Sequence, residues 1–324
     1  MAAERQRRLN GRESCDVPGK GIPHHMLYGH GAAGGGERMD DIIVVRGVVK
    51  RYGGKAAVDG LDLTVKEGEV FGFLGPNGAG KTTTVRIIST LTDCSEGSVT
   101  VGGYDIKKHP REAKRLMGVI QQHISLDKDL TVRENMTHHA MMHKIRASER
   151  AKRINELAGY VGLGEYMDSR IDSLSGGWKK RAAIVSSLIH EPKVLFLDEP
   201  TAGLDIKARR LLWDLIRKLN GNGTTVFLTS HYIEEIEALC DRVGIIDEGK
   251  LIALGTPQEL CGRIGSVAVE YYGQDSRTEY RYFASRADAN AFASSLGDAG
   301  TVIIRNTSLE DCFVELTGKT VGDG

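Results

Sequence analysis

The stretch Gly75-Pro-Asn-Gly-Ala-Gly-Lys-Thr-Thr83 decides the fold of this 324-residue chain. It follows an apolar run, Val70–Leu74, that is typical of a buried strand, and it precedes a segment, Thr84–Ile88, with helical spacing. Glycines let the backbone of such a loop curl with its N–H groups facing inward, and the unpaired amides of the following helix complete an anion site. We therefore predict a phosphate-binding P-loop with a nucleotide triphosphate as its ligand.

The polar residues of this loop have distinct predicted roles. Lys81 would place its charge between the β- and γ-phosphates, Thr82 would offer a hydroxyl to Mg²⁺, and Thr83 would donate toward the α-phosphate. The residues expected to bind the nucleotide here are Gly75, Pro76, Asn77, Gly78, Ala79, Gly80, Lys81, Thr82 and Thr83. A glycine-rich turn that merely connects a strand to a helix is the alternative, and the motifs downstream argue against it.

A second apolar run, Val194–Leu197, ends in the two acids Asp198 and Glu199. It predicts a buried parallel strand, and open α/β sheets bind their ligands at the carboxyl ends of such strands. Asp198 is predicted to hold Mg²⁺, directly or through water, and Glu199 to polarise the attacking water as general base. A strand that simply ends in solvated acids is the alternative.

Between these two motifs lies Leu174-Ser-Gly-Gly-Trp178, which opens a helix that is first basic and then apolar. This turn resembles the signature of the ATP-binding cassette (ABC) ATPases, which few other P-loop proteins carry. The resemblance implies that Ser175, Gly176 and Gly177 bind the γ-phosphate of an ATP held by a second copy, so that hydrolysis needs a homodimer. Trp178 stands where the family usually has glutamine, and we expect the neighbouring interface to pack differently.

The remaining family positions also find matches, in order along the chain. The resemblance implies that Gln122 contacts Mg²⁺ and the lytic water, with the adjacent Gln121 as the alternative register. It implies that Tyr52 stacks on adenine, and that His231 reads the γ-phosphate and orients the catalytic groups. Asp205, which ends an Ala-Gly-Leu-Asp stretch, would lie in the loop that couples the two sites across the dimer.

Composition limits the partners of this chain. Lys and Arg number 43, as do Asp and Glu, and the resulting formal net charge of zero argues against a nucleic-acid-binding surface. The five cysteines are scattered and form no CxxC pair, which favours a reduced, cytoplasmic compartment. No apolar run approaches the ~20 residues that cross a bilayer, and no secretion signal is apparent. A transport function would therefore need a separate membrane protein.

The sequence pattern divides the chain into three parts. Residues 1–38, rich in Gly and Arg, are expected to form a flexible tail. Residues 39–260 are expected to form an α/β P-loop ABC cassette, with an antiparallel β subdomain and a helical subdomain at about 130–172. Residues 261–324 are predicted to be a small α+β unit of order β-β-α-β-α, whose last helix is capped by Ser308.

The histidines invite a metal-site interpretation. His139 and His143 lie one helical turn apart, but no third ligand accompanies them, and we predict a solvated helix face. His24, His25 and His30 lie in the predicted tail, where histidine is common without a metal.

The ending Ser308–Gly318 resembles the tail of prokaryotic drug- and polysaccharide-exporter ATPases, the group typified by daunorubicin resistance subunits. The resemblance implies a Mg²⁺-dependent ATPase that acts as a dimer on ABC-2 type permease subunits at the cytoplasmic face of the plasma membrane. The alternatives are a non-transport ABC ATPase acting on ribosomes or DNA, a nucleotide-sensing regulatory subunit, and an importer ATPase. Neither the paired cassettes nor the long coiled coil of the first alternative is present.

Overall fold

The computed structural model describes residues 41–122, 125–272, 277–296 and 301–318, so that the predicted tail lies outside the described residues. The strands are β1 (Asp41–Tyr52), β2 (Lys55–Lys66), β3 (Val70–Leu74), β4 (Glu96–Val101), β5 (Tyr104–Asp105), β6 (Met117–Ile120), β7 (Val194–Asp198), β8 (Thr225–Ser230), β9 (Arg242–Asp247), β10 (Lys250–Gly255), β11 (Val267–Tyr272), β12 (Thr278–Phe283) and β13 (Ile303–Asn306). The helices are α1 (Lys81–Ile88), α2 (Pro110–Arg115), α3 (Val132–Met142), α4 (Ala147–Tyr160), α5 (Gly176–Leu188), α6 (Ile206–Gly221), α7 (Ile233–Leu239), α8 (Pro257–Ile264), α9 (Arg286–Ser295) and α10 (Leu309–Thr317), with 3-10 turns at Gly164–Tyr166 and Ile171–Ser173.

A six-stranded sheet of order β10-β9-β3-β8-β7-β6 lies at the centre of the molecule. All of its neighbouring pairs are parallel except β10 with β9. Every residue of β3, β7 and β8 is buried, as the uninterrupted apolar runs predict. Because parallel strands end at the same edge, the loop after Leu74, the acids after Leu197 and the segment after Ser230 lie side by side.

The side chains of the central sheet alternate between two cores. Phe71, Phe73 and Phe227 point to one face, where the Phe71 and Phe227 ring centroids lie 5.3 Å apart. Leu195 and Leu228 point to the other face and join the larger core. This period of two is the geometry of a pleated strand, and it fixes which helices each face receives.

An antiparallel sheet of order β2-β1-β4-β5 covers the first of these cores. Ile43 and Val45 of β1 are buried opposite Val65 and Leu63 of β2, and the half-buried pair Val44 and Thr64 lies between them. Buried and less buried residues therefore alternate from Ile43 to Val45. The sheet lies beside helix α1 and the loop that precedes it.

Helices α3 and α4 pack on α5 in the segment predicted to be helical. Helix α3 begins with a capping box in which Thr131 and Glu134 satisfy each other's backbone N–H groups. Thr131 also pairs with Arg170 in an isolated bridge, which ties the two ends of the segment together. Met136 and Leu157 bury the apolar faces of the two helices in the larger core.

The C-terminal elements have the predicted order, and the last helix opens with a capping box of Ser308 and Asp311. Asp311 also accepts two hydrogen bonds from Arg305, at 2.6 and 2.7 Å. Strands β11 to β13 and helix α9 bury a small core of their own. Phe313 of α10, in contrast, is packed with Leu260 in the large core of the cassette, so the last helix is integrated with the larger part.

Two further features concern the described ranges. No helix within them is both long and apolar enough to cross a membrane. The four cysteines that they contain, Cys94, Cys240, Cys261 and Cys312, are all free thiols.

Candidate active site

The loop between β3 and α1 closes tightly on its surroundings. Gly80 has φ of 108°, a conformation that L side chains rarely adopt, and a Cβ there would collide with the backbone O of Ala57. A Cβ at Gly75 would collide with the backbone O of Ile246. Close backbone contacts therefore require glycine at these two positions. No side chain caps the N-terminus of α1, so its first N–H groups stay open to a ligand. Gly78, with φ of 79°, is exposed at the tip of the loop.

Lys81 is the buried cation of the loop, with only 5% of its surface exposed. Its ammonium donates to the carbonyl oxygens of Gly75 (2.6 Å) and Pro76 (3.0 Å). Burial lowers the pKa of Lys81, while the charges of Glu199 and Asp198 act in the opposite direction. A buried ammonium bound to neutral carbonyls is poised to pair with a stronger anion such as a phosphate.

The other loop positions complete the turn. Ala79 is buried and its N–H donates to the carbonyl of Pro76 (3.2 Å), while Asn77 is exposed. Thr83 is half-buried in the first turn of α1. The backbone of the whole stretch is thus wrapped around the space in front of the helix.

A set of oxygen atoms gathers where β7 ends. Asp198, 3% exposed, accepts a hydrogen bond from the hydroxyl of Thr229 (2.6 Å) and one from the hydroxyl of Thr82 (3.3 Å). Carboxylate and hydroxyl oxygens are the ligand types that Mg²⁺ prefers, and a metal here would be flanked by the loop. The geometry therefore fits the predicted Mg²⁺ ligands Thr82 and Asp198.

Glu199 lies at the centre of the predicted catalytic residues. Its φ of 48° is unusual for a non-glycine residue and turns the chain sharply at the end of β7, where its N–H donates to the carbonyl of Thr229 (3.1 Å). Gln122 Nε2 donates to Glu199 Oε2 (3.2 Å), and His231 Nδ1 lies 3.2 Å from Glu199 Oε1. The structure thus brings together the three residues that were predicted to be catalytic.

The same contact distinguishes the two possible glutamine registers. It is the side chain of Gln122 that donates to Glu199, although Gln121 and Gln122 are both exposed. The structure therefore favours Gln122 as the residue that shares the site with Glu199.

The signature turn is open by comparison. Ser175 is exposed at the N-cap of α5, and its side chain makes no capping hydrogen bond. Gly176 is exposed as well, and a Cβ at Gly177 would come 3.0 Å from the Cβ of Ala208. The first amides of α5 thus face outward, in the way that a ligand supplied from outside this chain requires.

Trp178 packs within its own chain. Its ring lies 4.3 Å from that of Tyr166, and the guanidinium of Arg181 sits 4.8 Å from its centroid. Tyr166 belongs to the helical segment, so Trp178 anchors that segment to α5. The substitution of tryptophan for the usual glutamine therefore has a packing role that the sequence did not predict.

Two predicted binding residues take no part in the contacts around Glu199. Tyr52 is 51% exposed, and the ammonium of Lys50 lies 5.1 Å from its ring centroid. Asp205 caps helix α6 by accepting from the N–H of Ala208 (2.8 Å). Their proposed roles depend on a ligand and on a second protomer.

Three residues of the site were missed by sequence reasoning. Thr229 stands opposite Asp198 in the parallel register of β7 and β8, which only the strand pairing reveals. Lys180 is buried and donates to the carbonyl of Gln122 (3.0 Å). Glu235 is fully buried and accepts from Trp213 Nε1 (3.2 Å), and burial raises its pKa. For Lys180, one signal was available in the sequence. Its helical spacing from the apolar residues of α5 places it on the buried side of that helix.

The prediction of a solvated helix face is confirmed for His143, which is exposed, and is wrong for His139. His139 is half-buried, and the ring of His143 stacks on that of His190 with centroids 3.7 Å apart. Burial lowers the pKa of His143, and it lowers the pKa of His190 to about 4. Within the described ranges, no three or more His, Cys, Asp or Glu side chains are grouped so that they could hold a metal ion, and the tail histidines lie outside those ranges.

Comparison with known proteins agrees with this geometry. A family model described as "ABC transporter" matches residues 58–202, and one described as "AAA domain, putative AbiEii toxin, Type IV TA system" matches residues 169–237. The linearmycin resistance ATP-binding protein of Bacillus subtilis (strain 168) is 45% identical over 218 residues, which cover 67% of this chain and 70% of that protein.

Two other similar proteins extend the comparison. The Nod factor export ATP-binding protein I of Burkholderia thailandensis is 39% identical over 294 residues, which cover 85% of this chain and 97% of that protein. A solved ATP-binding cassette, described as a dimer in a post-hydrolysis state bound to ADP and Pi, is 27% identical with a TM-score of 0.60. The match covers 66% of this chain and 98% of that structure.

Proposed function

The chain belongs to the ABC transporter family as an ATP-binding subunit, and we propose that it is the ATP-hydrolysing motor of an exporter. We assign the ATPase to residues 39–260 and an accessory role to residues 261–324. The names of two similar proteins, one for resistance and one for export, support the direction of transport. The observation that carries the ATPase is the position of the Glu199 carboxylate, which accepts a hydrogen bond from Gln122 and lies 3.2 Å from His231 Nδ1.

The phosphate loop would bind the triphosphate of ATP. Lys81 would exchange its two carbonyl partners for phosphate oxygens, and the first amides of α1 would donate to the same group. Thr82, Asp198 and Gln122 would hold Mg²⁺, which when bound would neutralise phosphate charge and polarise the γ-phosphoryl group. Tyr52 would stack on the adenine.

Glu199 would accept a proton from the attacking water. The Glu199 side chain is 13% exposed, which keeps access to that water. Its Oε2 accepts a hydrogen bond from Gln122, and His231 Nδ1 lies 3.2 Å from its Oε1. The unusual backbone at Glu199 supports the assignment, because strained residues persist where a function requires their orientation.

The open signature turn supports a head-to-tail homodimer. In it, Ser175, Gly176 and Gly177 of one copy would complete the site of the other, with Asp205 in the loop between the sites. We place the dimer on two ABC-2 type permease subunits, at the cytoplasmic face of the plasma membrane. Closure on ATP and opening after phosphate release would drive the change of access in the permease.

The ATPase is tested with purified protein and Mg-ATP. Glu199→Gln should lower kcat by about 10²- to 10⁴-fold, as expected for loss of a general base, while ATP binding is retained. Glu234→Gln, which removes an exposed acid of α7, is the matched control and should turn over at the parental rate. A Glu199→Gln variant with parental turnover would remove Glu199 from this role.

A nucleotide-sensing subunit is the candidate of a different class. A parent protein that binds Mg-ATP without measurable turnover, alone and with the proposed membrane permease, would favour sensing. Stimulation of turnover by that membrane protein is the result that the motor predicts.

A further inference from the structure

Lys180 is a buried cation that the proposed chemistry does not use. It lies in the first half of α5, about one turn beyond the signature glycines, and is 5% exposed. Its ammonium donates to the backbone carbonyl of Gln122, at 3.0 Å. A buried ammonium is costly unless it is hydrogen-bonded, so this contact fixes where the chain lies at Gln122 relative to α5.

The electrostatic surroundings of Lys180 are the acids of the site. The charges of Asp198 and Glu199, at the end of β7, and of Glu235, on α7, act on its ammonium and oppose the lowering of its pKa by burial. Lys81 faces the first two of these carboxylates from α1. The site therefore has two buried lysines, one on the phosphate loop and one on the signature helix.

The neighbouring Lys179 shows that this placement is specific. Its ammonium lies 3.7 Å from the carboxylate of Asp172, and 26% of its side chain is exposed. Lys179 and Lys180 share a helix, a charge and a length, yet only Lys180 reaches Gln122. Lys179 is therefore a matched control.

We propose that Lys180 is a positioning residue that links the signature helix to the catalytic residues of the same chain. The N-cap of α5 is Ser175, for which we propose a contact with a second protomer. About one turn into α5, Lys180 donates to the backbone of Gln122, whose side chain contacts Glu199. A displacement of α5 on binding the other protomer's nucleotide is thereby transferred to Gln122. The two hydrolysis sites of a dimer are coupled through this bond, an inference that rests on the proposed function.

Three substitutions at Lys180 separate the contributions of the bond and of the charge. Lys180→Met removes both, Lys180→Gln keeps a neutral donor, and Lys180→Arg keeps a charged one. Hydrogen exchange of the nucleotide-free protein reports on the bond without hydrolysis, through a peptide covering residues 117–122. Affinity for Mg-ATP, KM and kcat then report on function, and thermal unfolding checks that each variant folds.

We expect Lys180→Met to exchange faster in that peptide, to bind Mg-ATP with parental affinity and KM, and to lose about ten- to a hundredfold in kcat. Lys180→Arg should restore most of kcat, Lys180→Gln should be intermediate, and Lys179→Met should match the parent in every readout. If Lys180→Met does not fold, Lys180→Gln carries the same comparison.

Parental exchange in the peptide, or a kcat equal to that of Lys179→Met, would overturn the proposal. Equal losses in affinity and kcat would overturn it too, since a merely structural residue would act in that way. Failure of Glu199→Gln to slow hydrolysis would instead contradict the proposed function, so the two failures are distinguishable.

Discussion

The phosphate loop before α1 and the signature turn before α5 are both glycine-containing N-termini of helices, but one is closed and the other is open. Side chains added at Gly75 or Gly80 would strike backbone oxygens, and Lys81 is buried against the loop. Around Ser175 and Gly176 the surface is exposed, and no side chain caps the helix. Two glycine-containing helix N-termini, for both of which we propose a role in binding phosphate, thus lie in different surroundings.

This difference shows how one chain could carry two parts of a composite site that do not act on the same ligand. A closed loop binds phosphate with groups that its own chain has positioned, so its properties belong to the monomer. An open helix N-terminus leaves unpaired donors that a ligand must satisfy, so its properties appear only in the dimer. Substitutions in the phosphate loop should therefore change the monomer, whereas substitutions in the signature turn should have effects only in the dimer.

The largest difference is expected between Gly80→Ala and Gly176→Ala. Gly80→Ala forces a left-handed residue against the carbonyl of Ala57 and should cost at least about 2 kcal/mol in the free energy of unfolding. A Cβ at Gly176 meets only the side chain of Leu204 at 3.5 Å, so Gly176→Ala should stay within about 0.5 kcal/mol of the parent. Urea unfolding measures the free energy of unfolding of both variants. Equal destabilisation by the two substitutions would contradict the distinction between the closed loop and the open turn.

The next effect concerns the binding of ATP to the monomer. Lys81→Met removes the buried ammonium and should weaken ATP binding by about ten- to a hundredfold, the loss of about 1.5–3 kcal/mol expected for a charged hydrogen bond. Ser175→Ala, in the open turn, should leave this affinity unchanged. Titration calorimetry at a monomeric concentration tests the pair, and a weaker affinity in Ser175→Ala would show that the signature turn acts within one chain.

A smaller effect should appear only in the dimer. Ser175→Ala removes one hydroxyl donor from the surface that faces the second copy and should weaken ATP-dependent dimerisation by about 1 kcal/mol, roughly fivefold. Thr83→Ala removes one hydroxyl from the closed loop and should instead lower the affinity of the monomer for ATP. Light scattering against protein concentration separates the two cases, and parental dimerisation of Ser175→Ala would argue against a contact in trans.

The smallest effect is expected at Tyr52. Its ring is half exposed, so that replacing it by leucine should cost about 0.5–1.5 kcal/mol of ATP affinity through lost stacking. The affinity for inorganic triphosphate, which has no base, should not change. An equal loss for both ligands would mean that Tyr52 supports the closed loop rather than the adenine.

The phosphate loop and the strands beside it could be predicted from the sequence, because their signals are local. About twenty residues contain the apolar run of β3, the glycines and the helical spacing after Lys81. The two acids at the end of β7 follow another buried run. The confirmed fold class and family follow from this ordered set of motifs. Such patterns are local because strands and helix termini obey local geometry.

The contacts that join the elements could not be predicted. Thr229 meets Asp198 through the register of two strands that are distant in sequence, and Lys180 meets Gln122 through the orientation of α5. Helix α10 was predicted within a separate C-terminal unit, yet its Phe313 packs into the large core. Each of these depends on tertiary packing, which no local pattern encodes.

Sedimentation velocity of a hydrolysis-deficient variant tests the central claim, that the open turn of one copy completes the closed loop of another. With saturating Mg-ATP, Glu199→Gln should sediment as a dimer. Adding Ser175→Asp keeps a good helix N-cap but places a negative charge next to the phosphate of the ATP bound by the other copy. The double variant should therefore bind ATP and remain a monomer. A dimer of the double variant, or a monomer of Glu199→Gln, would contradict the account.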